Sequence, residues 1–143
     1  MGEAPPDGAL VEVELARIVI SETSDQQVIL LRERAEPHRS FPIIIGIFEA
    51  VAIDRKLKAT RTPRPLTHDL LDRVIRELGG AIERIVVTEL QENTFFARLE
   101  IASNGRTVSV DSRPSDAIAL AVRAEVPIFV AEKVFAQAAS PGG

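Results

Sequence analysis

The chain has 143 residues, 45% of them hydrophobic and 27% charged, and a formal net charge of −4 at pH 7. This composition is typical of one folded domain and excludes wholesale disorder, and no apolar run is long enough to span a membrane. Cysteine is absent and there are only two histidines, so disulfides and thiolate sites are excluded and any catalysis must rest on carboxylates, arginines, hydroxyls and imidazoles.

Three strands are predicted before the first helix. Apolar and polar residues alternate from Val11, and the apolar phase shifts by one residue at Ala16-Arg17, which indicates a β-bulge. A second strand is predicted over residues 28–31. The third, Pro42–Ile45, is apolar on both faces, and we therefore expect it in the centre of the sheet.

Two helices joined by a basic, proline-containing loop follow Gly46. The second helix is predicted over Thr67–Leu78, and ion pairs Asp69–Arg73 and Asp72–Arg76 are expected on its outer side. The side chains expected to face the core are Ile47, Ala50, Val51, Ile53 and Leu57 in the first helix and Leu70, Leu71, Val74, Ile75 and Leu78 in the second.

The rest of the chain is predicted to add a hairpin meander, a buried helix, a short strand and a terminal helix. Asn104-Gly105 predicts a tight turn, because both of its positions need a positive φ. The strands are predicted over 82–90, 94–102, 106–111 and 128–130, and the helices over 114–124 and 132–138. The order β-β-β-α-α-β-β-β-α-β-α predicts an α+β fold, a mixed β-sheet with hairpins and about four helices.

The domain organisation is predicted to be simple. Residues 1–9 and 139–143 lack periodicity and are expected to be disordered tails of a single domain, 10–138. The beginning of the chain has neither the basic flank nor the apolar stretch of a secretory signal. We therefore expect a cytoplasmic protein with no membrane partner.

Charge is distributed unevenly along this acidic chain, whose pI is near 5.3. The low pI weighs against a plain nucleic-acid-binding domain, which is usually basic. Residues 54–76 nevertheless carry seven basic side chains against three acidic ones. Lys56 and Arg61 in this basic zone are candidate phosphate ligands. The alternative is a solvated surface loop between two helices.

Charged and hydroxyl side chains crowd the start of the buried helix. A short turn brings Asp111 towards Asp116, and two carboxylates at one point predict a shared divalent cation, Mg²⁺ or Mn²⁺. Arg113 and Ser115 are candidate ligands for a phosphate at the helix N-terminus. The alternative is a structural cluster, in which Ser112 or Ser115 caps the helix and Arg113 pairs with Asp111.

Two further groups of candidate residues lie at helix starts. Arg64 precedes the second helix, whose first residues include His68, a candidate general base or phosphate contact, and Asp69. Glu49 lies in the first turn of the preceding helix and is either a dipole partner or a buried ligand. For His68 the alternative is an exposed or capping histidine.

Three segments in this order resemble the bifunctional nuclease domain family: Gly46–Ile53, Arg64–Leu71 and Asp111–Arg123. The resemblance covers roughly residues 10–136. It implies a compact α+β domain, a homo-oligomer, and the DNase and RNase activity of some members. The positions that match the family's motifs, and are therefore candidate site residues, are Glu49, Arg64, His68, Asp69, Asp111, Arg113, Ser115 and Asp116.

Two kinds of function fit these residues. One is a nuclease that acts on DNA or RNA and depends on a divalent metal, since a metal activates water without cysteine or tyrosine. The other is a non-catalytic oligomeric module that binds an anion or nucleotide, or regulates a partner. For the nuclease, the catalytic candidates are Asp111, Asp116, Glu49, His68 and Asp69, the phosphate ligands Arg64, Arg113, Ser115, Arg61 and Lys56, and the metal ligands Asp111 and Asp116.

We also expect assembly into a homodimer or a larger homo-oligomer. The apolar side chains exceed what one small domain easily hides, and small domains alone expose much apolar surface. The residues on which this expectation rests are Val51, Ile53, Ile128, Phe129 and Phe135.

Overall fold

The computed structural model describes residues 8–138. They form an α+β fold with the predicted order of elements. The strands are β1 Leu10–Val19, β2 Gln27–Glu33, β3 Ser40–Ile45, β4 Gly80–Gln91, β5 Thr94–Ser103, β6 Arg106–Ser112 and β7 Ile128–Ala131. The helices are α1 Ile47–Leu57, α2 Thr67–Glu77, α3 Pro114–Ala124 and α4 Glu132–Ala138. Of the tails predicted at 1–9 and 139–143, residues 1–7 and 139–143 lie outside the described residues.

A mixed seven-stranded sheet of order β3-β2-β1-β7-β4-β5-β6 forms the framework. Neighbouring strands are antiparallel except β4 and β7, which are parallel. The predicted bulge is confirmed, since the register of β1 against β2 shifts between Leu15 and Arg17. The predicted hairpin turn is also confirmed, with φ of 52° at Asn104 and 77° at Gly105.

The predicted central position of β3 is wrong, because within residues 8–138 β3 lies at one edge of the sheet and pairs only with β2. Its residues alternate between buried and exposed: Phe41 and Ile43 face the core, whereas Pro42 and Ile44 face outwards. The outer face of β3 is therefore apolar and yet exposed. A proline, which cannot donate to a ladder, is tolerated at an edge.

The sheet curls strongly around the core. The Phe41 ring of β3 stacks on the Phe95 ring of β5 with centroids 5.6 Å apart, although four strands separate β3 from β5 in the sheet order. Phe135 of α4 packs edge-on against Phe41, with centroids 5.2 Å apart. Strands are spaced about 4.8 Å apart, so a flat sheet would hold β3 and β5 far beyond ring contact.

Helix α3 lies inside this curl, as its apolar sequence predicts. It packs against α1, α2, β3, β4 and β5, and Ala117–Ala121 are all buried. Small alanine side chains let the surrounding elements approach closely. The site at the N-terminus of α3 is therefore held by a helix that is fixed on several sides.

Helix α1 buries only part of the face predicted for it, Ala50 and Ile53, and α2 leaves most of its predicted face exposed. In α1 the buried residues are Glu49, Ala50 and Ile53, while Ile47 and Leu57 are exposed. In α2 the apolar stripe points away from the protein's own core and is exposed. Its exposed members are Leu70, Leu71, Val74 and Leu78.

The buried face of α2 is polar instead. His68, Asp72 and the half-buried Ile75 are spaced by four and three residues, so they share the face that packs against α3 and β4. The Asp72–Arg76 ion pair is confirmed at 3.3 Å, but its predicted position on the outer side is wrong, because Asp72 is buried. The predicted Asp69–Arg73 pair is wrong, since Asp69 pairs with Arg123 of α3.

Core packing also changes the basis of the predicted assembly. Ile53, Ile128 and Phe135 are buried within the domain itself, so they are not surplus apolar surface. The exposed apolar side chains lie elsewhere and include those of α2 and Phe48, which is 82% exposed. Within residues 8–138, no helix has the length and apolarity required to cross a membrane.

Candidate functional site

A cavity of about 1070 Å³ opens between α1, α2, the start of α3 and strands β5 and β6. Most of its wall is apolar, including Phe48 of α1 and Leu71 of α2. Its polar side chains come from the N-terminal turns of these three helices and from the end of β6. They are Glu49, Thr67, His68, Asp111, Ser112, Arg113 and Asp116.

Four of these side chains form one continuous network. His68 Nε2 lies 3.0 Å from Asp116 Oδ1, and Arg113 Nε donates to Asp116 Oδ2 at 3.0 Å. Arg113 also donates through Nη2 to Glu49 Oε1 at 2.7 Å. The network therefore joins α2, α3 and α1 in the order His68–Asp116–Arg113–Glu49.

Glu49 reaches the network because Gly46 leaves room for its carboxylate. Gly46 is the N-cap of α1, with φ −79° and ψ 165°, an extended backbone that any residue adopts. A Cβ at this position would lie only 2.6 Å from Glu49 Oε2. The absence of a side chain at Gly46, and not its backbone freedom, therefore lets Glu49 fold back.

Arg113 is the N-cap of α3, and Pro114 occupies the first helical position. No side chain caps this helix with a hydrogen bond, so the predicted capping by Ser112 or Ser115 is wrong. Ser112 Oγ donates instead to the carbonyl of Arg113 at 2.9 Å. The predicted Arg113–Asp111 pair is not formed either, since Arg113 pairs with Asp116 and Glu49.

The electrostatics of the network are dominated by Arg113. Hydrogen bonding and attraction by Asp116, with attraction by Glu49, raise the pKa of the Arg113 guanidinium above its usual value, so it stays charged. Glu49 is buried, whereas the Arg113 side chain is 69% exposed. Arg113 therefore compensates a buried carboxylate and still presents donors to the cavity.

His68 has a defined tautomer in this arrangement. An ionised carboxylate only accepts hydrogen bonds, so Asp116 assigns the ring proton to Nε2 and leaves Nδ1 as an acceptor. Within residues 8–138, no protein group is hydrogen-bonded to His68 Nδ1. A neutral imidazole oriented by a carboxylate, with its second nitrogen unoccupied, is suited to accept a proton.

The other predicted site residues lie apart from the network. Asp111 borders the same cavity, whereas Ser115 is buried and does not line it. Asp69 accepts a hydrogen bond from the backbone N–H of Leu66 and pairs with Arg123, away from His68. Arg64 is exposed and borders neither this cavity nor the basic one described next.

A second, smaller cavity of about 320 Å³ lies between α1, the α1–α2 loop and α3. Lys56 and Arg61, two of the predicted phosphate ligands, line it together with Arg55, Asp69 and Arg123. Arg123 was not predicted as a site residue. The signal was its position directly after the apolar segment of α3, where a single charge ends an otherwise buried surface.

The residues of the large cavity do not fit a ready-made metal site. Within residues 8–138, no group of three or more His, Asp or Glu side chains is placed to hold a metal ion. Both carboxylate oxygens of Asp116 are already bonded, one to His68 and one to Arg113. Sharing a cation with Asp111 would require Asp116 to release one of them.

Comparison with known proteins places these features in a family. Residues 29–142 match the bifunctional nuclease domain. An uncharacterized protein of Mycobacterium tuberculosis is 43% identical over 127 residues, which cover 89% of this chain and 75% of that protein. Bifunctional nuclease 1 of Oryza sativa subsp. japonica is 27% identical over 143 residues, covering 90% of this chain and 43% of the rice protein. Bifunctional nuclease 2 of Arabidopsis thaliana is 32% identical over 92 residues, covering 62% and 28% respectively.

Proposed function

The chain belongs to the bifunctional nuclease domain family, and from that premise we propose that it is a nuclease that hydrolyses phosphodiester bonds of DNA, RNA or both. The observation that carries the proposal is the network His68–Asp116–Arg113–Glu49 at the wall of the large cavity. In this network the oriented imidazole of His68 is suited to accept a proton. The guanidinium of Arg113, which two carboxylates hold in place, is suited to bind a phosphate.

In the proposed reaction, His68 Nδ1 accepts a proton from a water molecule whose oxygen attacks the phosphorus. The bond from phosphorus to the leaving oxygen breaks, that oxygen takes up a proton from solvent water, and the imidazolium of His68 then releases its proton to solvent. Arg113 binds the phosphate and stabilises its growing negative charge. Its Nη1 is available for this contact, because Nε and Nη2 carry the bonds to Asp116 and Glu49.

Asp116 and Glu49 are positioning residues in this scheme. Asp116 holds the His68 tautomer and stabilises the imidazolium formed when His68 accepts the proton. Glu49 fixes the other end of Arg113, whose guanidinium would otherwise move freely at the surface. Neither carboxylate needs to touch the substrate.

The experiment is a cleavage assay with matched substitutions at the two histidines. We expect His68→Asn to lower cleavage of plasmid DNA and single-stranded RNA by about 100-fold or more, the usual contribution of a general base. His38→Asn is the control, because His38 lies in a turn away from the cavity and has φ 60°, which asparagine tolerates. Equal activity of the His68→Asn variant and the wild type would refute the proposal.

A divalent cation, Mg²⁺ or Mn²⁺, remains a prediction at Asp111 and Asp116. The same assay tests it in the presence of either ion and in excess EDTA. Loss of cleavage in EDTA, restored by the ion, would support a cation bound after Asp116 releases a partner. Cleavage that persists in EDTA and is lost in His68→Asn would exclude a required metal.

A non-catalytic anion- or nucleotide-binding or regulatory module is the second candidate. One observation favours it: the network is balanced without a ligand, since two carboxylates compensate Arg113 and bond the imidazole. In that case the purified protein cleaves neither substrate under any of these conditions. Nucleotide binding that depends on Arg113 would then replace cleavage as the readout.

We also propose a homodimer or larger homo-oligomer in the cytoplasm. The support for assembly is the exposed apolar stripe of α2, Leu70, Leu71, Val74 and Leu78, because large exposed apolar patches mark interaction surfaces. A second copy of this chain is the partner to test first. The cytoplasmic location rests on the sequence alone.

A further inference from the structure

The second, smaller cavity, called the basic cavity from here on, has the side chains expected of a phosphate site. Its charged lining consists of Arg55, Lys56, Arg61 and Arg123 against the single carboxylate of Asp69. The protein as a whole is acidic, so this concentration of positive charge is a local feature of the α1–α2 region.

Most of the positive charge in this cavity is uncompensated. Asp69 Oδ1 lies 3.0 Å from Arg123 Nε and balances that one side chain. Arg55, Lys56 and Arg61 form no ion pair within residues 8–138. By contrast, Lys58 on the same helix is paired with Asp54 at 3.1 Å. Arg55, Lys56 and Arg61 are therefore available to bind a ligand in the cavity.

The remaining lining favours a phosphate over a base. Within residues 8–138, the cavity wall contains Thr60 and Thr62 but no aromatic ring on which a base would stack, and the Thr62 hydroxyl already donates to the carbonyl of Arg64 at 2.7 Å. Arginine, lysine and threonine side chains are the usual donors to phosphate oxygens in nucleic-acid complexes.

The basic cavity adjoins the large one. Ala52 of α1 and Leu66 before α2 line both cavities, so the two cavities adjoin at these side chains. A nucleic-acid strand whose reacting phosphate lies at Arg113 would therefore pass the basic cavity with a neighbouring part of its backbone.

We propose that the basic cavity is a phosphate-binding subsite, distinct from the cleavage site, that holds a nucleotide phosphate other than the one that reacts. The proposal rests on the proposed nuclease function for the position of the strand, and on the cavity's own charge for the phosphate. The phosphate comes either from an internal position of a polynucleotide or from a nucleoside monophosphate.

The test compares two double variants that remove the same charge. Arg55→Gln with Arg61→Gln removes two unpaired cations from the cavity. Lys58→Gln with Arg73→Gln removes two exposed cations that are paired with Asp54 and Glu77 outside it. All are made in the His68→Asn chain, so that the strand stays intact. Binding of a fluorescein-labelled oligo-dT of about 20 nucleotides is followed by anisotropy over a range of salt concentrations.

We expect the cavity double variant to bind about tenfold more weakly and its log–log salt slope to fall by about 0.7, the value for one phosphate contact on a single strand. The control double variant should keep its affinity within about twofold and an unchanged slope. Equal weakening in both double variants would overturn the subsite, because it would reflect net charge alone. Unchanged oligonucleotide binding in the cavity variant excludes a strand phosphate as the occupant, and it overturns the subsite unless binding of a mononucleotide depends on Arg55 and Arg61.

A second ligand separates the two sources of phosphate. Adenosine monophosphate, at matched ionic strength, should raise the melting temperature of the parent chain but not of the cavity double variant if the site takes a mononucleotide. If the binding of either ligand depends on Arg55 and Arg61, the subsite is supported. If the binding of neither ligand depends on them, the subsite is overturned. Cleavage by the wild type is measured separately, so failure of the nuclease proposal leaves these binding results interpretable.

Discussion

Gly46→Ala should disturb the site through a single steric contact. The new Cβ would lie 2.6 Å from Glu49 Oε2, and an ordinary contact begins at 3.4 Å. The carboxylate must therefore move by roughly 0.8 Å, which brings its 2.7 Å bond to Arg113 to the limit of hydrogen-bonding distance. The backbone at Gly46 is extended, so alanine introduces no φ strain there.

The expected loss of stability is small and specific. A hydrogen bond between charged groups contributes roughly 1.5–3 kcal/mol, but water competes for Arg113, so we expect about 1 kcal/mol here. Alanine also restricts the unfolded chain, which stabilises by about 0.5 kcal/mol, while glycine is the better N-cap by a similar amount. These two effects nearly cancel.

A double-mutant cycle with Glu49→Ala isolates this contact. Gly46→Ala should cost about 1 kcal/mol in the wild-type chain and close to zero in the Glu49→Ala chain, because the clashing carboxylate is then gone. Stability is measured by urea unfolding with far-UV circular dichroism, since the chain has no tryptophan or tyrosine for fluorescence. An equal cost in both backgrounds would refute the steric explanation.

Three further predictions concern other parts of the fold. Arg39 donates to Glu33 and holds the pKa of that carboxyl below 4.5, so the stabilisation is full above that pH and is lost as the pH falls. Glu33→Gln should therefore cost about 1–2 kcal/mol near pH 7, with the gap from wild type closing as the pH falls below 4.5 through the lowered pKa of Glu33, and a constant gap in urea unfolding would contradict this. Gly105→Ala, at φ 77°, should lower the free energy of unfolding by about 1 kcal/mol, because alanine is strained at a positive φ. An unchanged urea midpoint would contradict this prediction, since it would mean that the turn relaxes without cost. Leu70→Glu with Leu78→Glu should convert a homo-oligomer to a folded monomer in light scattering, and a monomeric wild type at micromolar concentration would contradict the assembly.

The sequence predicted the structure best where a feature depends on a few neighbouring residues. The Asn104-Gly105 turn needs positive φ, and the apolar segment after Pro114 can only be a buried helix. The site residues were also found in part, because carboxylates and arginines at helix starts are conspicuous. Their partners were not, since the link from Asp116 to His68 crosses 48 positions of the chain and depends on how α2 packs against α3.

Helix α2 shows why periodicity alone misassigned a face. An apolar stripe predicts that a helix face will be buried, but it does not show whether the domain's own core or a partner buries it. The domain uses His68 and Asp72 for its own packing and leaves Leu70 and Val74 outside. The same reasoning failed for β3, whose apolar outer face is open because β3 is an edge strand.

The curl of the sheet has a consequence for how the domain opens. Phe41 and Phe95 touch across a gap that no backbone hydrogen bonds bridge, and they are 54 positions apart in the chain. Side-chain packing thus ties the β1–β3 meander to the β4–β6 meander. Contacts between distant positions slow folding, and they also couple segments that would otherwise open independently. In hydrogen exchange, the amides of β3 should therefore exchange together with those of β5, and not fray ahead of them as edge-strand amides usually do.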